Sequence, residues 1–537
     1  LGRLKMATCM KYGFLGLFLL LFSQFSFGQT KEAVSFSIPK TIYFGGEKVW
    51  IAGEVAQEGL EEKSVIFYAE LINRYNESVA ISKMPLENGK SFNYLSLPES
   101  LPSDNYLLRV FTRISPYQDL ESGISQQLIT VFNRQYPPTV ISDRKKTNPS
   151  STSTPLFSIP KDKFTSGEML QVKLSDPASV EEIHIGVYNP FLEKQGMISS
   201  SEIYESIDSK EVVPELFGHV IEANVTKETV DTTQLYFISI HGKKSALFTD
   251  RPDENGKMFF DAGGIRNWDY LVAQANNNKS LIDFNIISPA PKTHFKKGFT
   301  IPELEISPSD EPYLKELLKG GLVEGYYVNE FDTRDFPVIT GFVEDRAYKL
   351  DDYTRFESVE TVIKEYVPEV SVKSVQKKKE FRVVNAIRSF AFENNPLMLI
   401  DAMPVFDSDQ LAAFDPKEFK SLEILTRLFF LNEEEFPGVI SFTSYKNDFG
   451  GYPIPTNGIF QEYQGIQPKI QSAQNLFDSP GSESDIMDWR TILFWSKTPG
   501  SQELSNTVEI KVPELKGFYL VTLKSNGDSY SKVIQVN

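Results

Sequence analysis

Four histidines, a run of aspartates and one Asp-Glu-Asn-Gly tetrapeptide are the residues of this 537-residue chain whose types could do chemistry. His184, His219, His241 and His294 lie in separate segments, with no i, i+4 pair and no zinc spacing, so no metal centre is expected from them. Asp253-Glu254-Asn255-Gly256 lacks the spacing and the distant Glu of an EF-hand loop, and reads as a hairpin turn between strands. Asp407, Asp409 and Asp415 fall close together and could hold a cation, yet helix capping accounts for two of them. No G-x-S-x-G elbow occurs and no phosphate-binding loop, because Gly89-Lys90-Ser91 lacks the upstream glycine. The expectation is therefore a chain that is not an enzyme, with no catalytic, cofactor-binding or metal residues.

The aspartates belong to the most legible stretch, residues 395–446. Leu397 to Ile400 is an apolar strand ended by Asp401, and Pro404 keeps the turn from continuing as a helix. Asp415, Pro416 and Glu418 read as the cap, first turn and capping box of a short helix. Residues 422–425 and 439–445 are strand-like, the second opened by Pro437-Gly438 and alternating Ile440 and Phe442 with Ser441 and Thr443. The expected product is a compact β-α-β-β unit. Its order, with the blocks SLEIL and GVISFT, resembles the plug domain of TonB-dependent outer-membrane receptors over residues 351–450. That family has Gly after the Asp, where this chain has Ala402, which pays more for a left-handed turn. The 91 residues after Lys446 are too few for a transporter barrel. What the resemblance implies instead is a contact loop for a partner, at Asp401, Ala402, Met403, Pro404, Asp407, Asp409 and Asp415.

Length sets several domains, each with its own core. Lys11 precedes an apolar run over residues 12–22, and Ser26 and Gly28 offer a cleavage site, so residues 1–28 read as a signal peptide with Met6 or Met10 as the start. Removing them leaves a net charge of −20, which argues against nucleic acid and against an anionic membrane face. The only cysteine, Cys9, lies ahead of the apolar run, where it is no acylation site, and the remaining chain has no disulfide or thiolate chemistry. With 41 Phe and 23 Tyr, its cores suit β-sandwiches.

The strongest internal signal is a repeat. FSIPK at residues 36–40 returns at 157–161, and Gly46-Glu47 returns as Gly167-Glu168. A strand ending at Pro, then a Gly-Glu turn into a second strand, is how a β-sandwich can open. The first copy, residues 30–134, carries FGGEKVWIAGEV, VIFYAELIN and a later SFNYLSLPESLPSDNYLLRVFTR. These blocks resemble the macroglobulin-type domain of envelope proteins in Bacteroidetes-like bacteria. The thioester of protease-trapping macroglobulins needs a Cys that is missing here. Residues 135–155 read as a linker and 156–212 as a second sandwich. Residues 213–290, with LYFISI and ALFTDRPDENGKMFFDAG, resemble the carboxypeptidase regulatory-like domain, a fold without peptidase chemistry. Residues 291–350 read as a connector with a short helix at 312–321 stopped by Gly320-Gly321 and a strand at 338–343. An amphipathic helix over 354–367, capped by Thr354 with Glu357, leads into the plug-like unit. The segment 451–537 closes with strands, and its end weakly resembles a type 9 sorting domain.

The fold class expected is thus mostly β with a small α+β unit, tandem macroglobulin- or Ig-like sandwiches followed by a plug-like β-α-β-β domain. The function expected is that of an exported, peripheral accessory subunit of an outer-membrane assembly, secretion or uptake complex, bound to a β-barrel or other envelope proteins. A TonB-coupled uptake component and a surface adhesion or glycan-binding protein are the alternatives.

Overall fold

A computed structural model describes residues 31–537 except 57–62, 143, 145–154, 194, 227–229, 243–244, 276–281, 328–341, 471–475, 481–486 and 500–502. The expected leader with Cys9, much of the linker and positions 338–341 lie outside the described residues. The rest is mostly β, arranged as paired sheets.

The chain opens with β1 (Ala33–Ser37), β2 (Ile42–Phe44), β3 (Lys48–Ala56), β4 (Ile66–Ile72), β5 (Ser78–Pro85), β6 (Lys90–Ser96), β7 (Asp104–Phe111) and β8 (Ser125–Phe132). They form a sandwich of sheet β1-β3-β6 on sheet β2-β8-β7-β4-β5, with β2 parallel to β8. Val49, Ile51, Phe67, Leu71, Leu108 and Val131 fill the space between the sheets, each such burial contributing about 1.5–3 kcal/mol. Asn88 and Gly89, at φ 50° and 75°, make the tight turn between β5 and β6, the twist that suits a two-residue hairpin.

β9 (Phe157–Ser158), β10 (Lys163–Phe164), β11 (Met169–Leu174) and β12 (Glu182–Val187) then repeat the opening. Phe157 and Ile159 occupy core places matching Phe36 and Ile38. Gly46 and Gly167 both take left-handed backbone, at φ 89° and 81°. That geometry brings Glu47 to Lys40 at 2.8 Å and Glu168 to Lys161 at 2.7 Å.

Four strands cannot close a sandwich, and here the chain leaves it. β13 (His219–Val225), β14 (Tyr236–Gly242), β15 (Ala246–Asp250), β16 (Lys257–Gly263), β17 (Trp268–Ala275) and β18 (Phe284–Ile287) build a further sandwich around Ile221, Ile238, Phe260 and Leu271. The Asp253 tetrapeptide does turn, but its flanking strands enter different sheets, so it bridges the layers and is no hairpin. Next comes helix α1 (Glu311–Tyr327). It runs through Gly320-Gly321, which were expected to stop it. The glycines serve close approach: a Cβ on Gly320 would lie 2.4 Å from Thr491 Cγ2, and one on Gly321 would lie 2.7 Å from Glu47 Oε1.

The α/β unit follows, with β19 (Arg346–Lys349), α2 (Val359–Tyr366), β20 (Val370–Val375), β21 (Lys378–Asn385), β22 (Phe390–Ala391), β23 (Leu397–Ile400), β24 (Met403–Pro404), α3 (Ser408–Ala413), β25 (Phe419–Leu425), the hairpin β26 (Phe429–Leu431) and β27 (Glu434–Phe436), and β28 (Val439–Ser444). Its main sheet is β19-β25-β28-β23-β24, with β23 parallel to β28. Two helix starts differ from expectation. α2 begins at the Ser358 cap, whose hydroxyl accepts from Thr361 N, and α3 begins at Asp407, while Asp415 caps only a single 3-10 turn.

β29 (Ile459–Glu462) then returns to the inserted sandwich, giving sheets β16-β13-β18 and β15-β14-β17-β29. Finally β30 (Ile492–Trp495), β31 (Thr507–Lys511), β32 (Gly517–Ser525) and β33 (Asp528–Val536) complete the sandwich begun at Phe157. Its sheets are β9-β11-β31 and β10-β33-β32-β12-β30, with β10 parallel to β33. Strand for strand this is the order of the first sandwich. Residues 156–212 therefore begin a domain they do not complete, and residues 451–537 are no separate closing segment: 459–462 belong to the inserted sandwich and 492–536 supply the missing half of the second. Everything between β12 and β30 is inserted where the first sandwich has the five-residue link 73–77.

Candidate functional site

The expected contact loop is largely internal. Asp401 and Ala402 both adopt left-handed backbone, φ 47° and 66°, so the chain makes the tight turn without the glycine. The Asp401 carboxylate is buried and accepts from Ser444 N at 2.8 Å, Ser444 Oγ at 2.6 Å and Phe449 N at 2.8 Å. Met403 lies in the core of the α/β unit, and the carbonyl of buried Pro404 accepts from Gln274 Nε2 of the inserted sandwich at 3.1 Å. Asp407, Asp409 and Asp415 remain exposed, each accepting a backbone N–H, from Gln410, Lys379 and Lys417. Among the described residues no group of three or more His, Cys, Asp or Glu side chains could hold a metal. Asp253 spends its carboxylate on the N–H groups of Asn255 and Lys257.

The histidines divide by burial. His184 and His294 pair with Glu182 and Asp208 at 3.1 and 2.7 Å. His241 is buried between Tyr270 and Phe449, bonded to Ser239 and Ser245, and burial pushes its pKa down to about 3. His219 is the one that belongs to a larger constellation.

That constellation lies where the inserted sandwich covers the outer face of β4, β5 and β7. An antiparallel sandwich usually leaves such a face in water, and here its polar side chains are buried instead. Glu215 accepts from Tyr68 Oη at 2.6 Å, Arg113 Nη1 at 3.2 Å and Val220 N at 3.0 Å. His219 Nδ1 is 2.7 Å from the same carboxylate and its Nε2 is 2.8 Å from Tyr463 Oη. Burial holds the imidazole down at about 4, so it is neutral at pH 7. The neutral ring donates from Nδ1 to Glu215, which leaves Nε2 to accept from the Tyr463 hydroxyl. Burial opposes the Glu215 anion, but His219, Arg113 and Tyr68 outweigh it and its pKa is lowered. Arg113 also reaches Glu222 at 2.9 Å, and Lys210 meets Glu222 at 2.7 Å.

Lys83 stands at the edge of this network, 3% exposed. Its Nζ donates to the Gln464 carbonyl at 2.6 Å and lies 4.0 Å from the centre of the Tyr463 ring. No carboxylate among the described residues pairs with it, and burial pulls its pKa to about 7 against an opposing pull from Glu215. Lysine is seldom buried without such a partner. Lys40, equally buried, has Glu47 at 2.8 Å. Lys83 also lines a cleft of about 580 Å³ between β5 and the sheet edge at β17 and β29, a volume in the range of small-ligand sites. Sequence reasoning missed this site. Lys83, Glu215 and Tyr463 come from three distant segments, and only the i, i+4 spacing of Glu215 and His219 hinted at a pair.

Comparisons with known proteins leave the family open. Neither a protein-family profile nor a curated protein matches the chain. Among solved structures, the alpha-2-macroglobulin of Salmonella reacted with methylamine aligns at 8% identity and a TM-score of 0.15, covering 94% of this chain and 23% of that one. The Escherichia coli alpha-2-macroglobulin activated by porcine elastase aligns at 9% identity and a TM-score of 0.16, covering 94% and 31%. This chain thus spans under a third of either protein's length. At such scores the likeness carries no argument, and the β-sandwich assignment rests on the strand pairing itself.

Proposed function

We propose that this protein is a non-enzymatic, exported binding subunit, associated peripherally with an outer-membrane assembly, secretion or uptake complex. The macroglobulin-like and plug-like resemblances supply the setting. The observation that carries the reading is the outer end of the α/β unit. Val343, Leu428 and Phe430 are exposed around the β26–β27 hairpin, where Arg427 Nη2 reaches the Val343 carbonyl. The β21–β22 turn, whose strand passes against Gly438, adds Ile387 and Phe390. Ile387 is 82% and Phe430 61% exposed, and exposed apolar side chains of this size are candidates for contact with a partner. Asp407, Asp409 and Asp415 are the accessible part of the contact loop. No helix of the described residues is long and apolar enough to cross a membrane, which leaves β-barrels unaddressed.

The test is mild detergent extraction of envelopes followed by pull-down and mass spectrometry. A barrel or envelope protein should co-purify with the wild type and be lost from an Ile387→Ser, Phe430→Ser double variant of unchanged melting temperature. Recovery of the wild type free of partners under every mild condition would sink the reading.

A further inference from the structure

We propose that Lys83 is a carbonyl-reactive amine, and that the cleft it lines admits an uncharged aldehyde or ketone to its Nζ. This inference does not depend on partner docking, since the cleft and the apolar end of the α/β unit share no residue.

Three features of the cleft converge. Lys83, 3% exposed, is among its lining residues, and its amine has one carbonyl acceptor and no carboxylate partner among the described residues. Its mouth carries Asp269 and Glu462, both exposed, which disfavour an anionic ligand. Tyr270 and Phe460, with ring centres 5.0 Å apart, give it an aromatic flank. The amine must be neutral to act, and its surroundings favour that form. Arg113 lies across Glu215 and neutralises the nearest anion of the network, His219 is neutral, and the Tyr463 hydroxyl stays protonated because burial and Glu215 raise its pKa. Burial leaves the Lys83 ammonium a pKa of about 7.

The chemistry balances without a further reagent. The Nζ lone pair adds to the carbonyl carbon, and the resulting carbinolamine loses its hydroxyl, with a proton from nitrogen, as water. A C=N bond replaces C=O. No electron leaves the system.

The experiment uses 3-phenylpropanal with sodium cyanoborohydride on the full chain, with peptide mapping across pH 5–10. Lys163, exposed and on β10, serves as the internal standard. Lys83 should react with a midpoint near pH 7 and, at pH 7, at least about tenfold faster than the exposed Lys163. Ser288→Trp, which narrows the cleft, should suppress the Lys83 adduct and spare the Lys163 adduct. Lys83→Met should leave the melting temperature nearly unchanged, since relief of the desolvated amine offsets the lost hydrogen bond to the Gln464 carbonyl. An Lys83 that stays unlabelled in the folded chain, or reacts no faster than Lys163 at pH 7, overturns the proposal. So does labelling that Ser288→Trp and a second narrowing variant, Gln461→Trp, leave untouched.

Discussion

The two repeated sandwiches share a strand order but not an environment. In the first, the Lys40–Glu47 pair is 1% and 3% exposed, closed over by α1 and bonded to Thr491 across the boundary. In the second, the equivalent Lys161–Glu168 pair is 50% and 37% exposed. The local sequence sets the turn and the pairing in both. What differs is the neighbour. The chain inserted between β12 and β30 folds back over the first sandwich and leaves the matching turn of its own host in water. A repeated motif can therefore keep its geometry while its energetic weight changes entirely.

The hardest test of this comparison is truncation. Ending the chain after residue 504 removes β31, β32 and β33, and hydrogen exchange should show complete loss of protection over 157–187 with the first sandwich still protected. Equal protection in both would break the claim of a split second sandwich. Lys40→Met and Lys161→Met sharpen the point. The first leaves Glu47, which already has one carboxylate oxygen without a partner, buried and uncompensated, and should cost about 3–5 kcal/mol in denaturant unfolding. The second should not shift the transition measurably.

Acid probes the seams of the insertion. His219 and His241 have folded pKa values of about 4 and about 3, below the ordinary 6.5. A depressed histidine pKa favours the fold above the unfolded value, and that stability is lost as pH falls from 6.5 through the folded pKa, on the order of 3 kcal/mol for His219 and 5 for His241. Exchange at β4, β5 and β13 should rise first between pH 6 and 4, and His219→Gln should flatten that dependence. The smallest effect belongs to Ala402→Gly. A left-handed alanine costs roughly 1–2 kcal/mol, so the glycine should raise the midpoint of the α/β unit modestly and leave both sandwiches unmoved.

Much of the local structure was legible in the sequence. Period-two strands, the Asn88-Gly89 turn and the FSIPK repeat are written in neighbouring residues, and each formed. Partnership at a distance was not. Met169–Leu174 pairs with Thr507–Lys511, and nothing within either strand names the other. Gly320-Gly321 read as a stop because glycine weakens helices, whereas the packing of α1 needs their missing side chains. Asp415 had every mark of a cap and became one, but for a single turn. The Lys83 site was invisible for a related reason: on β5 a lysine reads as solvent-facing, and only the fold shows that another sandwich covers it.

The split of the second sandwich also has a timetable. As the chain emerges, β9 to β12 appear before residues 188–491 and their remaining partners come only after them. At about 5–20 residues per second that delay is roughly 15–60 s. For that interval β9 and β11 have only each other, while β10 and β12 have no partner at all until β33 and β30 arrive, and open edges of this kind are the ones most prone to pairing with the wrong chain. The strands left waiting are the part of the molecule where a wrong pairing would start.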